Sequence, residues 1–180
     1  MAGDAGPALA QRVAALIRDV PDFPTPGVLF RDIAPLLRAP EVFADVVGWF
    51  AERASSLGAT VIVGIESRGF LLGAPVAQRA GLPFVPVRKA GKLPGPVHGQ
   101  KCTLEYGETE LQVQVGALHA GDRVLVVDDV LATGGTSAAA AELVRADGAD
   151  PLELAVLIEL VDLGGQKALD PWPVTALLSV

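Results

Sequence analysis

Short apolar runs alternate along this chain with segments whose apolar residues recur every three or four positions. The runs predict buried parallel strands, which are covered on both faces, at Thr60–Ile65, Phe84–Val87, Arg123–Val127 and Glu153–Val161. The periodic segments predict helices at Ala8–Asp19, from Pro40 onward, at Phe70–Gln78 and at Gly135–Asp147. Val174–Val180 adds a short terminal strand. This order predicts an α/β fold, a mainly parallel twisted sheet flanked by helices, in one domain over residues 1–180.

Two segments depart from the alternation. Pro21–Gly27 contains three prolines in seven residues and predicts a stiff loop. Between Lys89 and Val115, two alternating arms flank the polar sequence EYGETE and predict a long β-hairpin that projects from the sheet. Residues 92–110 of this stretch are polar and rich in Gly and Pro. We therefore expect them to be mobile and to close over a ligand.

Composition narrows the class of protein. Of the 180 residues 51% are hydrophobic and 5% aromatic, which predicts an aliphatic core and excludes a disordered chain. No run approaches the ~20 apolar residues of a membrane span, and the first residues lack the pattern of a signal peptide. The single cysteine, Cys102, and the absence of Asn fit a reducing cytosol, so we expect a cytoplasmic protein. The net charge of −7 argues against a nucleic-acid partner.

The strongest chemical signal is VLVVDDVLATGGT, Val124–Thr136. An apolar strand is predicted to end in Asp128 and Asp129, and a turn of small residues, Ala132–Thr136, leads into a helix. Backbone N–H groups at a helix N-terminus suit a phosphate, because the helix dipole adds positive charge there. The segment is not a P-loop, since no Lys follows the glycines, and it lacks the spacing of a dinucleotide fingerprint. A solvated strand end followed by an ordinary turn is the alternative.

GIESRGF, Gly64–Phe70, follows another predicted strand. Ser67 stands one residue too far from the first glycine for a hydrolase elbow. His98 and His119 fall in predicted loops without an acid nearby, which argues against a serine triad. Arg68 at a helix start opposes the helix dipole, so we expect an anion beside it, with a solvated cation as the alternative.

A dense basic cluster follows the second predicted strand, at Arg88, Lys89 and Lys92. Such a cluster in an acidic chain is either a solvated loop or a clamp for an anionic ligand.

These motifs resemble those of the type I phosphoribosyltransferases, most closely the members that use adenine. The matching segments, in chain order, are DFPTPGVLFRDIAPLL (Asp22–Leu37), GIESRGF, VRKAGKLPG (Val87–Gly95), LEYG (Leu104–Gly107) and the Val124–Thr136 motif, with a weaker match in DLGGQKAL (Asp162–Leu169). The resemblance runs from about Leu9 to Leu178. Ala90, where many relatives carry a basic residue, and Cys102, where many carry a bulkier one, depart from the pattern.

The resemblance implies an activity and an architecture. The activity is transfer of the 5-phosphoribosyl group from 5-phosphoribosyl 1-diphosphate to N9 of adenine, giving AMP and diphosphate in purine salvage. Mg²⁺ is implied as a cofactor held mainly through substrate oxygens, with no direct protein ligand. A homodimer is implied, as is a small hood formed by about residues 1–37 and 160–180.

The resemblance also implies a role for each site residue. Donor ribose and phosphate are assigned to Asp128, Asp129, Ala132, Thr133, Gly134, Gly135 and Thr136. Diphosphate is assigned to Glu66, Ser67, Arg68, Arg88, Lys89 and Lys92, with a cis peptide between Glu66 and Ser67. Adenine is assigned to Leu29, Phe30, Arg31 and Leu160. Glu105 is implied to be catalytic, with Tyr106 beside it on the loop.

Two other functions compete with this one. Another base, such as hypoxanthine, guanine, xanthine or orotate, could replace adenine, although the PTPGVLFRD segment favours adenine within the resemblance. A non-catalytic sensor could use the same fold to bind the donor and regulate transcription. That version usually has a DNA-binding extension, and the region before Asp22 is too short for a winged helix.

Overall fold

The computed structural model describes residues 5–104 and 107–180. Its helices are α1 (Ala5–Ala14), α2 (Ala34–Leu37), α3 (Pro40–Leu57), α4 (Arg68–Ala80) and α5 (Gly135–Ala146). Its strands are β1 (Arg18–Pro21), β2 (Leu29–Asp32), β3 (Val61–Ile65), β4 (Phe84–Lys89), β5 (Val97–Leu104), β6 (Gly107–Gln114), β7 (Arg123–Leu131), β8 (Asp150–Glu159) and β9 (Val174–Ser179). The chain divides into two compact units, Met1–Trp49 and Phe50–Val180.

The first unit contains a hairpin that the sequence pattern did not predict. β1 and β2 pair antiparallel from Arg18↔Asp32 to Pro21↔Leu29. The predicted helix Ala8–Asp19 is therefore wrong at its C-terminal end, because α1 stops at Ala14. Pairing with β2 outweighs the helical spacing, since Arg18 Nε donates to Asp32 at 3.0 Å and Arg31 forms an ion pair with Asp19.

The proline loop between these two strands is closed by its own residues. Asp22 has a positive φ of 58°, and its Oδ1 accepts the Gly27 N–H at 2.7 Å. The Phe23 N–H donates to the Val28 carbonyl at 3.2 Å. The predicted loop is thus confirmed, and its internal hydrogen bonds fix the path of the chain into Leu29, the first residue of β2.

The second unit is built on a seven-stranded sheet in the order β5-β6-β4-β3-β7-β8-β9. The pairs β3–β4, β3–β7, β7–β8 and β8–β9 are parallel. All residues of β3 are buried, as the predicted covering on both faces requires. The predicted mainly parallel sheet flanked by helices is confirmed, and its core is aliphatic, with Val63, Val126 and Val156 among its most buried members.

The predicted long hairpin is confirmed as β5 and β6, which pair antiparallel from Val97↔Gln114 to Leu104↔Gly107. It joins the sheet through two residue pairs of β6 with β4, Arg88↔Gln112 and Lys89↔Leu111. Leu111 and Val113 are buried in the core and thereby attach β6 to the rest of the second unit. The hairpin therefore continues past the last residue of β4 in the direction of Leu104.

In the part of the chain that the structure covers, no helix combines the length and apolar character needed to cross a membrane.

Candidate functional site

The carboxyl ends of β3, β4 and β7 border one cavity of about 300 Å³. Ligands of open α/β sheets bind outside these strand ends. Residues from three sequence-predicted motifs line it: the Val124–Thr136 motif, the GIESRGF segment and the basic cluster after β4. The lining residues are Glu66, Ser67, Arg68, Lys89, Thr109, Leu111, Asp128, Asp129, Val130, Ala132, Thr133, Gly134, Gly135, Thr136 and Ser137.

The acidic pair lies inside a strand and not after it. The predicted strand end at Val127 is wrong, because β7 continues to Leu131 and Val130 still pairs with Ile158 of β8. Asp129 is consequently 3% exposed, which is unlike a solvated strand end. Pairing with β8 keeps the backbone extended past the two acidic residues, and both of them line the cavity.

Burial shifts the acid–base behaviour of this pair. Burial, followed by the charge of Asp129, raises the pKa of Asp128 well above its usual range. Burial also raises the pKa of Asp129, although the nearby Arg68 opposes that shift. Arg68 NH1 lies 2.9 Å from Asp129 Oδ2. Asp129 is therefore the anion that the sequence predicted beside a cation at a helix start.

The predicted phosphate turn leads directly into α5. Gly134 is the N-cap of α5 with a φ of +85°, a conformation that favours glycine, and its carbonyl accepts the Ala138 N–H at 2.9 Å. The turn therefore ends at a helix N-terminus, where unpaired N–H groups and the helix dipole favour an anion. The predicted helix over Gly135–Asp147 is confirmed and ends at Ala146.

The GIESRGF segment contributes Glu66, Ser67 and Arg68 to the cavity lining. The peptide between Glu66 and Ser67 is cis, as the resemblance implied. The helix α4 begins at Arg68, two residues before the predicted Phe70. Gly69 permits a close approach to β7, because a Cβ there would lie 2.7 Å from the Val127 carbonyl oxygen and 3.0 Å from Asp128 Oδ1. The helix N-terminus thus approaches β7 at its acidic pair.

The basic cluster is organised by one carboxylate. Glu66 accepts hydrogen bonds from Lys92 Nζ at 2.7 Å, the Lys89 N–H at 3.1 Å and Arg88 Nε at 3.2 Å. Burial disfavours the charge on Glu66, but these donors outweigh it and lower the pKa of Glu66. Lys89 lines the cavity, whereas Arg88 and Lys92 are bound to Glu66 behind it.

Sequence reasoning missed four lining residues: Thr109, Leu111, Val130 and Ser137. Thr109 and Leu111 belong to β6, so the hairpin itself forms part of the cavity wall. Leu111 was in the predicted arm and Thr109 was in the polar sequence between the arms, but the pairing of β6 with β4 at Leu111 was not predicted. Ser137 follows the phosphate turn directly, and its position in TGGTS was the available signal.

The other predicted residues stand outside this cavity lining. Leu29, Phe30 and Arg31 lie on β2 of the first unit, where Phe30 meets Phe23 edge-on with ring centroids 5.1 Å apart. Leu160 follows β8, and its N–H donates to the Leu131 carbonyl at 2.9 Å. Glu105 and Tyr106 lie outside the described residues.

Both histidines differ from the sequence prediction. His98 lies in β5, and its Nε2 is 3.2 Å from Asp147 Oδ1. His119 Nδ1 lies 3.7 Å from Asp122 Oδ2. The prediction that neither has an acid nearby is therefore wrong, because the C-cap residue of α5, Asp147, supplies one acid and a local turn supplies the other. Neither histidine lines the cavity that contains Ser67.

Cys102 is 7% exposed, and burial raises the pKa of its thiol despite the opposing charge of Lys89. The thiol is thus unactivated, as expected.

Over the described ranges 5–104 and 107–180, no group of three or more His, Cys, Asp or Glu side chains is arranged to hold a metal ion. The cavity does contain two adjacent carboxylates, Asp128 and Asp129. Such oxygen donors suit a hard cation that retains water and substrate ligands.

Comparison with known proteins agrees with this arrangement. Residues 33–174 match the sequence model of the phosphoribosyl transferase domain. The adenine phosphoribosyltransferase of Streptomyces coelicolor is 56% identical over 176 residues, which are 96% of this chain and 97% of that protein.

Solved structures agree at the level of the fold. The adenine phosphoribosyltransferase of Thermoanaerobacter pseudethanolicus superposes with a TM-score of 0.92 at 40% identity, covering 95% of this chain and 99% of that one. The Saccharomyces cerevisiae enzyme, crystallised with adenine and an imino-altritol 1,6-bisphosphate, gives a TM-score of 0.91 at 40% identity, covering 96% of this chain and 99% of that one. The chain therefore belongs to the phosphoribosyltransferase family, among its adenine phosphoribosyltransferases.

Proposed function

We propose that this protein transfers the 5-phosphoribosyl group from 5-phosphoribosyl 1-diphosphate to N9 of adenine and releases diphosphate. The observation that carries the proposal is a cavity whose lining combines an acidic pair, the turn at the N-terminus of α5 and the cations Arg68 and Lys89. These groups match the parts of the donor: a ribose diol, a 5-phosphate and a diphosphate. Relatives of this length and identity bear the name of that activity.

The donor's sugar and phosphate fit the β7 side of the cavity. Carboxylates accept hydrogen bonds from hydroxyls but repel phosphate, so we assign Asp128 and Asp129 to the ribose diol. We assign the 5-phosphate to the turn Ala132–Thr136, whose N–H groups and hydroxyls lie at the N-terminus of α5.

We assign the diphosphate to the cavity lining contributed by the β3–α4 segment and β4. Ser67, Arg68 and Lys89 line the cavity there and supply N–H and cationic groups. Glu66 is assigned a supporting role, because its carboxylate is occupied by Arg88, Lys92 and the Lys89 N–H. These cations stabilise the departing diphosphate when the C1–O bond breaks and positive charge develops on the ribose.

Mg²⁺ belongs to this proposal as a substrate-bound ion. It would neutralise part of the diphosphate charge and be held through substrate oxygens and water, next to Asp128 and Asp129. The two carboxylates lie in the same cavity as the proposed donor groups and fit that use.

We assign adenine to Phe30 and Leu160, one on each face of the purine, with the backbone of Leu29 and Arg31 reading its edge. The closed proline loop supports this role, since Asp22 and Phe23 fix where β2 begins. The side chain of Arg31 is held by Asp19, which leaves its backbone as the group that could read the base. A 6-oxo base would present an acceptor where adenine presents a donor, and this difference permits selectivity.

The proposal extends to the loop, the hood and the assembly. We propose that residues 92–110 form a lid carrying Glu105 and Tyr106, and that residues 1–37 and 160–180 form a hood. We also propose a cytoplasmic homodimer. The lone, buried Cys102 supports a reducing compartment, and sedimentation showing an active monomer at assay concentration would contradict the dimer.

The direct test offers purified protein the donor with adenine, hypoxanthine, guanine, xanthine or orotate. We expect AMP and diphosphate from adenine, loss of turnover on chelation of divalent metal, and recovery on addition of Mg²⁺. The readout is product formation for each base under identical conditions. Turnover of hypoxanthine or guanine as fast as adenine would reject adenine as the substrate.

Asp128→Asn should make the protein less active and more stable. Because the pKa of Asp128 is higher in the folded than in the unfolded protein, its ionisation costs stability as pH rises through the folded pKa. That cost is fully present above the folded pKa and absent below the unfolded one. The variant should therefore melt at a higher temperature than wild type at pH 8, with the difference closing toward pH 4.

The same variant tests the ribose assignment. Loss of a charge-assisted hydrogen bond to the diol should lower kcat/KM for the donor by about tenfold or more, with the KM for adenine little changed. Melting curves at both pH values and initial rates decide both points. A lower melting temperature at pH 8, or unchanged donor kinetics, would contradict the assigned burial cost or the assigned role, respectively.

A further inference from the structure

The proposed function assigns no ligand to the segment DLGGQKAL (Asp162–Leu169), yet part of it packs against the phosphate turn. Residues Gly165–Leu169 form a short 3₁₀ helix, which we call the backing segment. A Cβ on Gly165 would lie 2.3 Å from the Ala132 carbonyl oxygen and 2.9 Å from Leu131 Cγ. Real Cβ atoms do not approach this closely, so the contact between the backing segment and the turn requires glycine at 165.

The contact is reciprocal. A Cβ on Gly134 would lie 2.5 Å from the Gly165 carbonyl oxygen and 2.8 Å from the Ala168 Cβ. Gly134 also has a φ of +85°, so its backbone favours glycine whatever the space around it. Gly165 is not among the residues with positive φ, and a substitution there therefore changes only the contact.

The backing segment is anchored by its own contacts and by those of the residues that precede it. Before it, the Leu160 N–H donates to the carbonyl of Leu131, the residue that precedes the turn. After Gly165, the Lys167 N–H donates to the Gly164 carbonyl, and Leu169 is fully buried in the core. Because the backing segment is anchored in this way, it moves little when a side chain is added at position 165. The turn Ala132–Thr136 is therefore displaced instead.

We propose that Gly165 is a positioning residue for the 5-phosphate site. It touches no substrate and acts through the Ala132 carbonyl and Gly134, whose position sets where the N–H groups of the turn point. This inference rests on the proposed function, because it takes the turn Ala132–Thr136 as the phosphate site. It adds that the turn's geometry is imposed from behind by a segment outside the Val124–Thr136 motif.

The test compares Gly165→Ala with Gly164→Asn. The neighbouring Gly164 has a φ of +64°, which Asn tolerates, and its Cβ position is open. Both variants and wild type are titrated with AMP, ribose 5-phosphate and adenine, and the donor KM and kcat are measured. We expect Gly165→Ala to weaken AMP and ribose 5-phosphate binding and to raise the donor KM by about tenfold, because small displacements of positioning groups are costly.

A general loss of structure would weaken the binding of all ligands. The positioning role instead predicts that binding of the phosphate-containing ligands weakens while adenine binding does not. Adenine affinity and kcat at saturating donor should stay within about threefold of wild type for Gly165→Ala, and Gly164→Asn should match wild type throughout. Equal weakening of adenine and AMP, or unchanged AMP affinity, would overturn the proposal. If Gly165→Ala does not fold, Ala168→Val presses on Gly134 from an exposed position and should weaken AMP in the same selective way.

The same titrations separate this inference from the proposed function. Wild-type protein that binds ribose 5-phosphate but converts no adenine would contradict the activity, while the selective effect of Gly165→Ala would still support the positioning role. Wild-type protein that binds neither AMP nor ribose 5-phosphate would overturn both.

Discussion

Replacing Arg53 by alanine should destabilise the protein by about 3–5 kcal/mol, because it leaves a buried carboxylate without its partner. Arg53 of α3 binds Glu153 of β8 through two hydrogen bonds, one from Nε at 2.8 Å and one from NH2. The side chain of Glu153 is 1% exposed. The hydrogen bond from Arg53 to Glu153 raises the pKa of Arg53 despite its partial burial, as expected for a strong pair. For a chain of this length the melting temperature should fall by roughly 6–20 °C.

The chain provides its own control for this measurement. Arg12 and Asp45 form an ion pair in which both side chains are about half exposed, and Arg12→Ala should change stability by less than about 0.5 kcal/mol. The double variant Arg53→Leu with Glu153→Met should recover most of the loss, since it removes both charges and retains the packing volume. The free energy of unfolding of Arg53→Ala, Arg12→Ala and the double variant is measured by denaturant melts and compared with that of wild type. An Arg53→Ala protein as stable as Arg12→Ala would show that Glu153 finds water or another partner.

The strands of the parallel sheet were predictable because each carries its own signal. Val61–Ile65 and Phe84–Val87 are apolar runs, and all five residues of Val61–Ile65 are buried, which leaves no room for polar ones. The phosphate turn was predictable for the same local reason, since Gly134 and the helix after it are adjacent in the chain.

Elements that depend on distant pairing were not predictable. Arg18–Pro21 continues a helical spacing and becomes a strand only because Leu29–Asp32 lies beside it. The extension of β7 through Asp128 and Asp129 depends on β8, more than twenty residues away in sequence. The local pattern of apolar residues carries no information about the partner strands β2 and β8. Pairing with those strands therefore determines both structures.

The candidate site likewise has features with a local sequence signal and features that depend on distant contacts. The sequence motifs contain most of the residues that line the cavity, but they did not show that Glu66 binds Arg88 and Lys92 or that Asp129 pairs with Arg68. Those pairs join separate motifs across the sheet. Gly165 is the extreme case, because only the distance to the Ala132 carbonyl distinguishes it from any other loop glycine.

Glu105→Gln should reduce kcat by about 10²–10⁴-fold while leaving donor binding nearly unchanged, if Glu105 accepts the N9 proton of adenine or orients the base. The resemblance of LEYG is the source of the assignment, and the hairpin supports it. Thr109 and Leu111 of β6 line the cavity, and β6 pairs with β4 at the cavity-lining Lys89. The strand that follows Glu105 and Tyr106 in the chain is thus part of the cavity wall.

Gln retains the shape of Glu105 and removes its charge, so the variant isolates the proton-accepting or charge-stabilising role; Glu105→Leu should be at least as damaging. Glu110→Gln is the matched control on the same hairpin, because Glu110 accepts a hydrogen bond from Gln112 at 2.8 Å and has no assigned part in the chemistry. Single-turnover rates are needed, so that product release does not hide the chemical step. If Glu105→Gln stays within about threefold of wild type in that measurement, Glu105 is no catalyst, and residues 92–110 can act only as a lid that excludes water.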